Sequence, residues 1–324
     1  MTSAVAELSD FLSRSADSDA DDAGVGAFAD SQDELRALRE DVGLIWRRGE
    51  RAYRVGGAER ADFLHRLLTA DMKSLAAGSG RTSLLLDNKG HAQLAMEIGA
   101  TADEFVAVGA TPEIDAGMDT LSRYVLRADV QIAPLDGAVL ALVGPRADEV
   151  VNAARIATLE RPPLAFRCAS GWLLVSDAPV AVWQRVTGAG AVPVGRDAAE
   201  TLRVEARRPR SGHEITGAEF PQELRLEAAI DFDKGCYLGQ ETVARIHYRG
   251  QVRRLLCALR SDGRVQVGDV LRAAGGDVGE VTSMMNVVGT QTVALGFVAR
   301  ERTEVGTVLT TGADVKVTVV EAAP

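Results

Sequence analysis

The sequence predicts an α+β chain: two fused α+β segments, then an antiparallel β domain. Three observations carry this. Between residues 42 and 250, β-like runs alternate with amphipathic helical ones. A strand–glycine–helix form occurs at Val55–Gly56 before Ala61–Asp62 and again at Val143–Gly144 before Ala147–Asp148, although the unequal gaps make it a weak repeat. After Gly250 the runs become short, β-branched and separated by Gly or Asp, the pattern of an antiparallel barrel or sandwich.

Ser, Asp and Ala dominate residues 9–22, so residues 1–40 are expected to be a disordered acidic tail. A short helix is expected from Ser31, where Ser31–Gln32–Asp33–Glu34 fits a capping box. The folded body, residues 41–250, divides near 137/138. In its first half, 51–55 reads as a strand broken by Gly56–Gly57, and 58–68 as a helix with Phe63, Leu64, Leu67 and Leu68 on one face. Strands over 81–87 and 91–98 are joined by the tight turn Asp87–Asn88–Lys89–Gly90. A strand over 104–109 precedes a helix to about Tyr124, with Thr111 as N-cap and Pro112 at its first position, then a strand over 130–133. The second half predicts strands over 139–143 and 172–176 and helices over 147–157, 180–186 and 197–206. Residues 251–324 form the β domain, with strands over 252–259, 270–273, 279–284, 293–298 and 315–320.

The formal net charge of −10 is mostly a tail property, because residues 1–34 hold nine acids and one base. The near-neutral body argues against an extended nucleic-acid groove and leaves a local basic patch open. No apolar run approaches the length of a membrane span, so no membrane association is expected. The first ten residues lack a basic region followed by an apolar core, so a cytoplasmic location is expected. Three cysteines with no CxxC pair exclude a disulfide framework or zinc ribbon. Four histidines without HxxH or HxxxH spacing indicate no metal site.

The densest polar stretch is residues 231–250, DFDKGCYLGQETVARIHYRG. Gly235 and Gly239 permit positive φ and let backbone N–H groups face a ligand. Gln240, Glu241 or Thr242 begins a helix whose free N–H groups favour an anion, and Arg245 shares a face with Glu241. Lys234 is one of four lysines against 32 arginines, which suggests a need for a compact ammonium. Cys236, beside it, reads either as a thiolate promoted by the cation and the helix end or as an inert thiol. Cys168 and Cys257 alternate with strand residues and read as inert. A second cluster, LRVEARRPRSGHEI over 202–215, contains Glu205. Its carboxylate suits either an amide-like N–H–C–NH2 edge, gripped by two parallel hydrogen bonds, or a cap or salt bridge.

The run KGCYLGQETVARIHYRG resembles the signature of the YgfZ-type folate-binding proteins, which are associated with iron–sulfur cluster assembly or repair and are related to the aminomethyltransferase of the glycine cleavage system. FLHRLLTADMKSL, LLLDNKGH, VGPRA, LRVEARRPRSGHEI and FPQE extend the resemblance over most of residues 44–300. It implies two α+β segments enclosing a tetrahydrofolate pocket, closed by a C-terminal β-barrel. Glu205 would hold the pterin edge, with an arginine near the glutamate tail. Lys234, Cys236, Tyr237, Gly239, Gln240, Glu241 and Arg245 match the signature, with Cys236 as a reactive thiol tuned by Lys234. Iron–sulfur enzymes or cluster-assembly proteins would be the partners.

One departure matters. Aminomethyltransferases carry a catalytic Asp shortly after the turn matching Asn88–Lys89–Gly90, whereas here no carboxylate follows until Glu97. One-carbon transfer from glycine is therefore not expected. A folate-dependent transferase or demethylase would need Glu97 or Asp87 instead. A third reading is an interaction module docked through its acidic tail.

Overall fold

The computed structural model describes residues 3–15, 20–21, 24–287 and 291–323. Two units emerge. The first runs to Leu84 and resumes from Leu94 to Ala199; the second holds Leu85–Gln93 and the chain from Glu200 on.

The first unit opens with α1 (Ser3–Ser15), the short antiparallel pair β1 (Ala20–Asp21) and β2 (Gly24–Val25), and α2 (Ser31–Glu40). The expectation of a disordered tail over 1–40 is therefore corrected for its described residues. Ala4, Leu8 and Leu12 recur every fourth position and are at most 2% exposed. Leu8 and Leu12 pack with Leu44, Leu140, Leu174 and Trp183. Average composition concealed this, because one apolar stripe is enough to bury a helix whose other faces are polar. The capping box is corrected too. Asp30 caps α2, accepting from the Gln32 N–H at 2.9 Å. The buried Glu34 carboxylate instead receives the backbone N–H groups of Phe28, Ala29 and Gly195.

Next come β3 (Gly43–Trp46), β4 (Glu50–Gly56), α3 (Arg60–Leu67), β5 (Gly80–Leu86), β6 (Ala92–Ala100), β7 (Phe105–Ala110) and α4 (Glu113–Ser122). Pro112 itself occupies the N-cap position of α4, and the Thr111 hydroxyl donates to the Gly49 carbonyl at 3.0 Å. Then follow β8 (Gln131–Pro134), β9 (Ala138–Val143), α5 (Ala147–Ala154), β10 (Leu164–Cys168), β11 (Gly171–Ser176), α6 (Pro179–Gly188) and β12 (Val192–Val194).

The strands form two five-stranded sheets, ordered β5-β6-β7-β4-β8 and β10-β11-β9-β3-β12. One strand crosses the expected division: β3, from the first half, pairs antiparallel with β9 and parallel with β12 of the second. Alternation gives each strand of the second sheet two apolar faces. Val139, Phe166, Leu173 and Val175 meet Ala52, Val106 and Val108 of the first sheet. Leu140, Leu142 and Leu174 face the other way, against α1, α5 and α6. At Gly99 a Cβ would fall 2.2 Å from Cγ of Phe166, so glycine there makes room for the ring between the sheets.

The second unit holds the β5–β6 hairpin tip and the end of α7 (Arg196–Glu205). After an irregular stretch over 206–239 come α8 (Gln240–Arg249) and six strands: β13 (Arg254–Ser261), β14 (Val270–Ala273), β15 (Gly276–Asn286), β16 (Thr292–Ala299), β17 (Val308–Thr310) and β18 (Lys316–Val320). They close as β13-β16-β15-β14-β17-β18, with antiparallel pairing throughout, so the β domain is a barrel. Cys257, Leu259, Val281, Leu271, Leu309 and Val317 fill it.

The irregular stretch is long for a segment with only one turn of 3-10 helix, a property common in functional loops. Buried acceptors hold it. Glu214 receives Arg203, the Arg210 N–H and the hydroxyls of Thr282 and Ser283. Glu219 and Glu223 both receive Arg254, and each also takes a loop N–H, from Thr216 and Phe220. Backbone groups that no helix or sheet satisfies are thereby paired.

Candidate functional site

The strip from Asp231 to α8 is shaped by local hydrogen bonds. The Asp231 carboxylate accepts the N–H groups of Asp233 at 2.9 Å and Lys234 at 3.0 Å, which turns the chain. Lys234 is half-buried, with Nζ 5.1 Å from the Tyr237 ring centroid, a cation–π placement. Tyr237 is 6% exposed, and its hydroxyl has no hydrogen-bond partner among the described residues. Burial pushes that phenol up to about 12, and the charge of Asp231 adds to the effect. Between them, Cys236 is exposed. Gly239 has φ +78° and forms the N-cap of α8, so the helix begins at Gln240.

The Asp87–Gly90 turn packs on this helix end. One Asp87 oxygen accepts the N–H groups of Lys89 and His91 at 2.9 and 2.8 Å, and the other meets His91 Nδ1 at 3.1 Å. Partial burial would raise the Asp87 pKa, but these bonds outweigh it and hold the carboxyl below the usual carboxylate range. A Cβ on Gly90 would lie 3.1 Å from the Gly239 carbonyl oxygen and from Thr242 Cβ. The FPQE segment completes the assembly. Phe220 stacks on His91 with centroids 4.6 Å apart, the Glu219 carbonyl accepts the Ala92 N–H at 2.8 Å, and the Gln222 amide donates to the Val243 carbonyl at 2.9 Å.

The structure thus joins Lys234, Tyr237, Gly239 and Gln240 around one helix start and leaves Cys236 beside them at the surface. Glu241 and Arg245 are exposed on α8 and make no ion pair with each other among the described residues. Glu205 is half-buried as the last residue of α7, and its carbonyl accepts the Ala323 N–H at 2.8 Å. His91, Phe220 and Gln222 are members that the sequence reading missed. The His91–Phe220 stack leaves no trace in local pattern, because its rings come from segments with no shared periodicity. The expected turn and FPQE were the available signals.

Other candidates are committed elsewhere. Glu97 is bound by Arg47, which Glu50 also engages, so Glu97 is not a free base. Cys168 is buried and pushed up to about 12, and burial raises Cys257 too, which suits inert thiols. No cluster of three or more His, Cys, Asp or Glu able to hold a metal is found among the described residues. No helix there is long and apolar enough to cross a membrane. A shallow hollow between α5 and α6, lined by Ala153, Leu159, Gln184 and Arg185, includes none of the expected site residues.

Residues 23–170 match the model of the GCVT N-terminal domain. An aminomethyltransferase of Halalkalibacterium halodurans is 27% identical, covering 86% of this chain and 85% of its own. The tRNA-modifying protein YgfZ of Vibrio vulnificus is 28% identical over 74% of this chain and 77% of its own. The crystal structure of glycine cleavage system aminomethyltransferase T from Bartonella henselae superposes with a TM-score of 0.82 at 22% identity, over 97% of this chain and 96% of that one, which establishes the fold. A match to the GCVT N-terminal domain, a mixed first unit and a closed C-terminal barrel give this chain a GcvT-like fold, similar to both the aminomethyltransferases and the YgfZ protein.

Proposed function

We propose that this protein binds tetrahydrofolate or a derivative and uses Cys236 to serve iron–sulfur enzymes or the proteins that assemble their clusters. The observation that carries this reading is the pairing, in adjacent residues, of an exposed thiol with a buried hydroxyl that has no partner among the described residues. A buried hydroxyl left unpaired costs free energy, which a polar ligand offsets by bonding it. A pterin carries such groups, so Tyr237 fits the cofactor.

Bound tetrahydrofolate supplies a one-carbon carrier with an amidine-like edge and an anionic glutamate tail. Glu205 takes that edge through two parallel hydrogen bonds. The start of α8 at Gln240 and Glu241, with Arg245 a turn further, supplies N–H dipoles and a guanidinium for negative charge. Lys234 holds the Tyr237 ring and keeps positive charge near Cys236. An exposed cysteine sulfur is a nucleophile and a soft ligand, suited to transient contact with iron or with a client cysteine. A cytoplasmic location accompanies this reading.

One-carbon transfer is the weaker reading. Its substitute carboxylates are engaged, Glu97 by Arg47 and Asp87 by its own turn. Calorimetry with tetrahydrofolate tests the cofactor, and an absence of binding by the native chain overturns it. Rescue of iron–sulfur enzyme activity in a deletion strain tests the thiol. Cys236→Ala is expected to fail there, and full rescue removes the thiol role. Formation of methylene-tetrahydrofolate from an amine donor would favour the transferase instead.

A further inference from the structure

The C-terminal half of α8 carries a surface of which the proposed folate site uses Arg245 alone. Residues 245–254 contain Arg245, Arg249, Arg253 and Arg254 and no acid, in a chain whose formal net charge is −10. Arg254 is committed to Glu219 and Glu223. Arg245, Arg249 and Arg253 are exposed, and among the described residues none of their side chains makes an ion pair or hydrogen bond. Arg245 and Arg249 are one helical turn apart on one face. Among these charges sits an aromatic group. His247 stacks on Phe232 with centroids 3.8 Å apart and planes at 17°. Tyr248 meets both rings edge-on and is 65% exposed. Glu241, one turn before Arg245, ends the basic surface on that side.

Cations at a helix C-terminus complement its dipole, and that would account for Arg249 alone. It does not account for a largely exposed tyrosine braced by two rings, nor for Arg253 beyond the helix. Unpaired guanidinium groups flanking exposed aromatic faces are the elements with which single-stranded nucleic acid is held. Arginines neutralise phosphates, and flat rings stack on unpaired bases. A bilayer surface would call for exposed aliphatic side chains beside the charges, and α8 offers none that is exposed there. An acidic polypeptide would use the arginines and leave the rings idle. We infer that the Arg245–Arg253 face of α8, with the Phe232–His247–Tyr248 ring cluster, is a docking surface for a short single-stranded segment of RNA. Unpaired bases of this kind are what RNA loops and ends present. The small number of arginines makes the binding sequence-tolerant and strongly salt-dependent.

The test is fluorescence anisotropy of the full chain with a labelled mixed-sequence 12-nucleotide RNA, across a salt series. Saturable binding at low salt is expected, with log affinity falling against log salt at a slope of about −2 for three neutralised phosphates. Tyr248→Ala should weaken binding about tenfold and leave that slope unchanged. Arg249→Glu with Arg253→Glu should weaken it more and flatten the slope by about one unit or more. Tyr248→Phe, which keeps the stacking face, should retain the affinity and guards against a loss due to misfolding. The inference is overturned if the native chain does not bind, or if both variants bind as the native chain does. It is equally overturned if a polyglutamate peptide of equal charge competes as well as the RNA, since the rings would then play no part. The folate titration rests on Tyr237, Glu205 and the first turns of α8 through Arg245, none of which these variants alter, so the two proposals fail separately.

Discussion

Gly90 and Gly239 lock two distant segments together backbone to backbone. A Cβ on Gly239 would lie 2.4 Å from the Asp87 carbonyl oxygen and 3.1 Å from Gly90 Cα. Both glycines have φ in the left-handed region, +90° and +78°. Gly239→Ala therefore meets a steric clash in addition to backbone strain, and a loss of about 3 kcal/mol is expected. Gly268→Ala is the control, since its φ is +88° and nothing lies within 4 Å of the added Cβ. It should cost about 1 kcal/mol. Denaturant midpoints for the two variants check the difference, and equal losses would contradict the close approach.

The tyrosine hydroxyl separates folding from binding. Tyr237→Phe removes a buried polar atom that has no partner among the described residues, so the unliganded protein should be as stable as the native chain or slightly more so. Tetrahydrofolate affinity should fall by about five- to tenfold, the worth of one hydrogen bond. Thermal melts with and without the ligand measure both effects.

Thiol chemistry should divide the three cysteines. Only Cys236 is exposed, while Cys168 and Cys257 are buried with raised pKa values. A chromogenic disulfide reagent should titrate one thiol rapidly in the native protein and all three in denaturant. Cys236→Ala should abolish the rapid phase. A rapid phase surviving that substitution would assign reactivity to a residue placed in the core.

Acid stability should depend on Glu214. Burial would raise its pKa, but Arg203, the Ser283 and Thr282 hydroxyls and the Arg210 N–H outweigh this and hold it below its ordinary 4.5. The folded value lies below the unfolded one, so this contribution is complete above about pH 4.5 and is lost as pH falls through the folded value. Glu214→Gln should cost about 2–3 kcal/mol at neutral pH, discounted because Arg203 keeps Glu200 as a partner. It should also flatten the decline in stability below pH 4.5, as followed by chemical denaturation across pH 3–7.

The N-terminal helix should behave as core. Leu8 is fully buried among residues of β3, β9 and α6, so Leu8→Ala should cost about 2–4 kcal/mol. A solvated arm would tolerate the change. The midpoint of thermal unfolding decides.

Elements announced by their own neighbours were readable in the chain. The DNKG turn, the helix from Gln240 and the barrel strands after Gly250 each carry a local sign, whether a turn residue, a cap or alternation. The short strand β17 carries only three residues and escaped notice. In the candidate site, the KGCYLGQE strip drew attention through its density of polar groups and glycines, and that density marked Lys234, Cys236 and Tyr237.

Partnership was not readable. Composition made Leu8 part of an acidic tail, and only the sheet it rests on makes it core. Glu34 has the spacing of a capping box yet serves Gly195, far along the chain. Strand β3 joins β9 and β12 rather than its neighbours in sequence. His91 gains its role from Phe220, and Gly239 from Asp87. Local preferences depend on interactions within a few residues, so they can be read along a chain. Burial and pairing depend on which surfaces meet, and that is resolved by the free energy of the whole fold.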